Sequence, residues 1–344
     1  MSAADGHAPD DRRGWLGRHN LAVPVAMLMF ALFLLVPLLP GKFWTHVSTE
    51  VLILGLFATS FNLLYGYMGQ ISFGHAAFFG VGAYASAMVF TRLKTAGGSI
   101  GMLDFFLSLL AGPPLAAVAA LIVGFFCVRL TGIYFAMLSL AFGELLFYIV
   151  FSWYSFTKGD DGIQGLLPPL FFQDAVNFYY LTLAIVTLAV LAMWRITESP
   201  FGYTMRTLRD NQRRAAFLGI NVRLHMLVNF VIAGGFAGLA GALWGPFSRS
   251  VNPGLLGWQE SGVAVFMTLI GGAGSFVGPM LGSVIYTLLQ AVVKMYTVYW
   301  PLTIGTIILL IVLFLPGGVL GLIEKRIKAR RDGDGSVDAG SREA

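Results

Sequence analysis

The chain has 344 residues, of which 57% are hydrophobic and only 11% charged. A soluble domain carries roughly 25% charged residues, so this composition excludes a water-soluble globular protein, and a mean hydropathy of +0.77 points to a lipid bilayer. The formal charge of +5 sits on cations that flank apolar segments, the positive-inside pattern of a membrane protein and not a nucleic-acid surface.

Residues 1–20 are polar, end in Arg18-His19-Asn20 and read as a cytoplasmic tail. Apolar runs long enough to cross a bilayer, roughly 20 residues each, then follow one another. The first seven are Leu21–Leu39, Val51–Met68, Ile71–Phe90, Phe105–Val128, Leu130–Ser155, Phe178–Trp194 and Leu224–Phe247. No small-residue cleavage site follows the first, so it reads as a retained helix and not a signal peptide. Ser261–Val293 carries no charge. As one helix it would measure about 50 Å, well beyond the roughly 30 Å hydrocarbon core. GGAGSFVGP at Gly271–Pro279 splits it into spans eight and nine, and Met295–Ile323 supplies the tenth. The expected fold is an all-α polytopic membrane protein of about ten transmembrane helices with glycine-broken segments. Its transmembrane domain covers 21–323, with a cytoplasmic loop at 195–223 and a basic cytoplasmic tail at 324–344.

Charge placement gives the orientation. With Arg12, Arg13 and Arg18 inside, an even number of spans puts Arg129, the basic loop and Lys325, Arg326, Lys328, Arg330 and Arg331 inside too. Arg92 and Lys94 fall outside, in a loop shared with Asp104. Both termini are therefore predicted to be cytoplasmic. Spans three, eight and nine are rich in glycine, and such segments can also enter and leave on one side. Tyr65–Ala85 (YGYMGQISFGHAAFFGVGAYA) and Leu269–Tyr286 (LIGGAGSFVGPMLGSVIY) each place glycines and a serine ahead of a glycine-spaced helix. The likeness points to an internal repeat with interrupted helices near a substrate path, unless glycine bias alone produces it.

Uncharged polar groups in apolar spans need partners in the bundle or a water-filled path. Asn62, Gln70, Ser72 and His75 cluster at the first glycine break, and Gly271 and Gly272 form the second. These six are the candidate lining of a translocation path; the alternative is that the polar ones bond neighbouring helices. Glu144, within LAFGELLFY, reads as a structural partner of Arg129 or of a helix N-terminus, the alternative being a proton or ion relay. Thr157–Gly162 (TKGDDG) lacks the ligand spacing of a calcium loop and reads as a plain turn.

The basic loop is long for a reversal of direction. Ser199-Pro200 fits an N-cap followed by proline at the first helical position. Asp210 or Asn211 caps a second short helix, and Gly219 stops it. Met205 with Leu208, and Ala215 with Leu218, recur at a spacing of three and are expected to form a small apolar knob on each helix. Asp210, Asn211, Arg213, Arg214, Ala215, Ala216, Leu218 and Gly219 are thus the candidate contact with a cytoplasmic partner. The single Cys127 excludes a disulfide framework, and no P-loop, HExxH or G-x-S-x-G motif occurs. Neither catalysis nor a cofactor is expected in this chain.

Four segments run in an order that resembles the permease subunits of branched-chain amino acid ABC importers, the LivM-like group. They are NLLYGYMGQISFGHAAFFGVGAYA (Asn62–Ala85), GIYFAMLSLAFGE (Gly132–Glu144), SPFGYTMRTLRDNQRRAAFLGIN (Ser199–Asn221) and TLIGGAGSFVGPMLG (Thr268–Gly282). The resemblance implies a ten-span permease of a bacterial inner membrane. It implies as partners a second, similar permease, two cytoplasmic ATP-binding subunits and a soluble binding protein. It also implies that the basic loop seats in an ATPase groove. The ABC-importer pattern there is E-A-A, three residues, then G; Arg214-Ala215-Ala216-Phe217-Leu218-Gly219 keeps two alanines and the glycine, with arginine for the acid and one residue fewer. The implied cargo is leucine, isoleucine and valine. Urea or short amides are the alternative within the family, and a stand-alone secondary transporter or channel the alternative outside it.

Overall fold

The computed structural model describes residues 27–38, 41–97, 100–314 and 317–321. The predicted tails at 1–20 and 324–344, and the start of the first apolar run, lie outside the described residues. Helices dominate, as the apolar runs require. In chain order they are α1 (Met27–Leu38), α2 (Lys42–Asn62), α3 (His75–Gly97), α4 (Met102–Cys127), α5 (Ile133–Ser152), α6 (Tyr154–Thr157) and α7 (Leu170–Gln173). Then come α8 (Ala175–Thr197), α9 (Pro200–Asp210), α10 (Gln212–Phe217), α11 (Val222–Ser248), α12 (Trp258–Gly271), α13 (Gly278–Tyr296) and α14 (Trp300–Phe314). A π turn, Leu63–Tyr67, continues α2.

Among the described residues, α2 with its π turn, α3, α4, α5, α8 and α11 are the six helices long and apolar enough to cross a membrane. The chain is thus an all-α polytopic membrane protein. The shorter α1, α12 and α14, together with α13, occupy the places of the other expected spans. The uncharged stretch 261–293 divides where the glycines fall, α12 ending at Gly271 and α13 starting at Gly278. With 14 residues, α12 is about 21 Å long at 1.5 Å per residue, shorter than a bilayer core. Two short strands depart from the purely helical expectation: β1 (Ile163–Gln164) pairs antiparallel with β2 (Ser250–Val251). A pair this short leaves no periodicity in the sequence to read.

The core is built around α2, in which every residue from Val51 to Leu64 is buried. Helices α8, α11, α12 and α13 pack on it. Small residues set the spacing: Gly55 faces Met280 and Ser283 of α13, and the Ser283 hydroxyl lies 3.2 Å from the Val51 carbonyl. A second tight group joins α3, α4 and α11. A Cβ on Gly112 would lie 2.7 Å from the Ala242 methyl, 2.9 Å from the Gly82 carbonyl and 3.2 Å from that of Gly238, so the three backbones meet where side chains are small or absent. Such contact is how helices associate in lipid, where apolar burial alone gives no preference.

The helices align two opposite ends. One gathers the π turn, the start of α5, the α8–α11 loop and the α12–α13 break, with Arg129, Arg195, Arg206, Arg209, Arg213, Arg214 and Arg223. The other carries the β1–β2 pair and the turns at 157–169 and 249–257.

Candidate functional site at the basic end

The first break begins inside α2. Within the π turn, the carbonyls of Leu64 and Tyr65 accept the amides of Gln70 (3.0 Å) and Gly69 (3.1 Å), and Gly69 turns the chain at φ 72°. The Asn229 side chain of α11 donates to the Leu63 carbonyl at 2.8 Å. The second break starts at Gly272, φ 105°, where glycine alone is unstrained. The Ser275 hydroxyl accepts the Gly278 amide at 3.0 Å and so closes the first turn of α13. The two breaks touch: Asn62 Nδ2 donates to the Ser275 carbonyl at 3.1 Å, and a Cβ on Gly66 would lie 2.5 Å from the Ala273 oxygen.

The six residues read as path lining fall into this junction, and all are buried. Gln70 Oε1 accepts the Gly132 amide at 2.9 Å, fixing the start of α5. His75 opens α3, fully buried, with Nε2 3.0 Å from the Ser60 hydroxyl. Ser60 spends its one proton on the Phe57 carbonyl at 2.7 Å, so Nε2 of His75 carries the donor proton and Nδ1 is an acceptor. The ring stacks on Phe57 and meets Phe61 and Phe78 edge-on. His75 Nδ1, Ser72 Oγ and Asn62 Oδ1 are buried without a hydrogen-bond partner. Gly271 and Gly272 lie on the other side of the junction, against Gly278 and Gly317 respectively. Sequence reading missed Ser60, Asn229 and Ser261, whose hydroxyl accepts the Ala76 amide at 2.9 Å. They carried the same signal, an uncharged polar group in an apolar run.

The basic loop closes this end. Pro200 takes the first position of α9 after the N-cap Ser199, though the Ser199 hydroxyl turns back to the Ile196 carbonyl (2.6 Å). Asn211 caps α10, its Oδ1 accepting the Arg214 amide at 3.0 Å, and Gly219 ends the turn at φ 83°. Arg206 bonds the Thr197 carbonyl and Glu198 and lies 5.2 Å from the ring centres of both Tyr67 and Tyr203. Arg209 donates to the Gly66 carbonyl in the π turn. The expected apolar knobs need correcting. Met205 and Leu208 are buried in the chain, and so is Ala215 at 0% exposure. On α9 the stripe at a spacing of three is the inner face that holds the bundle, whereas on the second short helix it divides, Ala215 facing inward and Leu218 outward. What projects is Leu218 (71% exposed) with Phe217 (91%), which no sequence pattern singled out. Asp210, Asn211, Arg213, Arg214, Ala216 and Gly219 are exposed around them.

Midway along α5, Glu144 Oε1 accepts the Trp258 amide (3.3 Å), so this carboxylate caps the N-terminus of α12. Arg129 lies instead over the Phe125 ring at 4.6 Å. The turn at 157–162 is held by its own contacts, such as Tyr154 to Asp161 at 3.0 Å. A shallow open cleft of about 470 Å³ beside it is lined by Asp160, Asp161, Gln164 and Asn252 among others. No group of His, Cys, Asp or Glu suited to a metal ion occurs among the described residues.

Comparison with known proteins gives this geometry a family. The family described as branched-chain amino acid transport system / permease component matches residues 44–316. The high-affinity branched-chain amino acid transport system permease protein LivM of Escherichia coli K12 is 24% identical over 89% of this chain and 76% of its own length. LivH of the same strain, with the same description, is 29% identical over 77% of this chain and 90% of its own. The autoinducer 2 import system permease protein LsrC of Salmonella paratyphi B is 24% identical over 49% of this chain and 50% of its own. No solved structure matches.

Proposed function

The chain belongs to the branched-chain amino acid permease family of ABC importers, and from that premise we propose that it forms half of the membrane pathway by which leucine, isoleucine and valine enter a bacterial cell. The other half is a second permease of similar fold. Two cytoplasmic ATP-binding subunits drive the cycle, and a soluble binding protein delivers the cargo. The chain crosses the inner membrane ten times with both termini in the cytoplasm. The arginine-rich end is the cytoplasmic one, in keeping with the positive-inside rule.

The observation that carries this reading is the Phe217–Leu218 knob. Two adjacent large apolar side chains, 91% and 71% exposed amid charged residues, fit a surface that a partner covers. Arg213 and Arg214 at the rim give orientation. Asp210, Asn211, Ala216 and Gly219 border this seat, and Ala215 supports it from beneath. Behind it, Asn62, Gln70, Ser72, His75, Gly271 and Gly272 form a gate. They are sealed together in this conformation, and cargo meets them when the two breaks part. The three unpartnered polar atoms then gain partners in the opened path.

Reconstitution of the complex in vesicles with labelled leucine tests the proposal. ATP-dependent uptake that requires the binding protein supports it. Uptake of leucine without ATP-binding subunits would show a stand-alone carrier instead. Transport of another cargo, as the name of the LsrC relative allows, would keep the machine and change its substrate.

A further inference from the structure

We propose that Arg209 is the positioning residue that carries movement of the coupling loop into the gate, by holding the π turn of α2. The inference rests on the transport reading above. Arg209 and Arg206 stand three apart on α9, hence on one face. Arg206 binds within its own loop, to Thr197 and Glu198, and lies beside Tyr67. Arg209 reaches out of the loop: its guanidinium donates to the carbonyl of Gly66, 143 positions away, and its Cγ packs 3.0 Å from where a Cβ on Gly69 would stand. The end of the π turn and the glycine just beyond it are thus both in contact with α9.

The π turn is where the other connections converge. Leu63 takes Asn229 of α11, Asn62 takes Ser275 of the second break, and Gln70 just beyond takes the start of α5. A π turn holds one residue more than an α turn, and such turns recur at functional sites. Shifting that extra residue along the helix would rotate everything beyond it, a change between two arrangements of the kind that can carry coupling. A pull on α10 through Phe217 and Leu218 passes across the Asn211 joint to α9, through Arg209 to Gly66, and so to the Asn62–Ser275 contact that seals the two breaks.

The test uses the complete complex. Arg209→Met keeps an apolar stem over Gly69 and removes the donor; Arg209→Lys restores one donor. Arg209 is itself exposed, so neither change opens the core, and co-purification with the ATP-binding subunits verifies assembly. Hydrogen exchange in residues 62–70 is read with and without ATP trapped by vanadate, which needs no cargo. The expected result is an ATP-dependent change of threefold or more in the unsubstituted and Arg209→Lys complexes, and none in Arg209→Met. Leucine taken up per ATP hydrolysed falls tenfold or more in Arg209→Met, while hydrolysis stays within twofold. Failure of the unsubstituted chain to assemble with ATP-binding subunits overturns the transport reading and this inference with it. Assembly with no ATP-dependent change in residues 62–70, or with an equal change in Arg209→Met, overturns this inference alone.

Discussion

The Asn62 side-chain amide donates to the Ser275 main-chain oxygen at 3.1 Å, tying together two glycine breaks 213 positions apart. The bond is part of a junction without slack, since Gly66, one turn further on, faces the Ala273 carbonyl directly. Two segments that resemble each other in sequence therefore meet at one junction.

Removing that bond has a bounded cost. Asn62→Ala is expected to destabilise the protein by about 1–2 kcal/mol, the loss of one buried hydrogen bond to a main-chain oxygen. The loss is partly offset because the Oδ1 atom, buried without a partner, goes too. Thermal unfolding of the purified complex in detergent measures it. An unchanged midpoint would mean that the contact does not hold the breaks together.

Glycine is required at one position of α12 and free at another. A Cβ on Gly271 would run into the main-chain oxygen of Gly278, whereas nothing lies within 4 Å of one on Gly262. Gly271→Ala should cost about 1–3 kcal/mol by forcing backbone apart. Gly262→Ala should be neutral or gain up to about 1 kcal/mol from helix propensity. The same unfolding assay on both variants checks the contrast, and equal effects would refute the packing described.

Glu144 separates a structural carboxylate from a proton relay. As the cap on the α12 amide of Trp258, it needs an acceptor oxygen, not a titrating group. Glu144→Gln should therefore keep uptake within twofold and leave its pH profile unmoved, while Glu144→Ala should lose about 0.5–2 kcal/mol of stability. A pH profile displaced by Glu144→Gln would instead mark a relay.

How far the sequence carried the architecture follows from what each signal encodes. Apolar runs and glycine punctuation are local, so the splitting of 261–293 at Gly271 and the Asn211 and Gly219 caps were legible. The π turn was not, because the groups that hold its carbonyls, Asn229 and Arg209, come from distant segments. The inward turn of Met205, Leu208 and Ala215 was hidden for another reason. A short amphipathic helix shows the same stripe whether the stripe meets its own bundle or a partner. Only the fold decides which, and it assigned the outer role to Phe217 and Leu218.

That assignment leads to a sharp contrast between neighbours on α10. Phe217 is 91% exposed and touches little of its own chain, whereas Ala215 is fully buried. Phe217→Asp should then leave the folded chain within about 0.5 kcal/mol of its stability, as surface changes generally do. Burying a phenylalanine in a partner groove contributes about 1.5–3 kcal/mol, and an unpaired carboxylate left in that groove adds a further penalty. Affinity for the ATP-binding subunits should accordingly fall by about 100-fold or more, at about 1.4 kcal/mol per tenfold. Leu218→Asp, at 71% exposure, should act in the same direction. Ala215→Asp, by contrast, places a charge inside the chain and should destabilise the loop itself. Co-purification measured alongside thermal unfolding distinguishes the two modes. If Phe217→Asp and Leu218→Asp keep full affinity and coupled transport, the knob rests on lipid and the ATPase seat lies elsewhere.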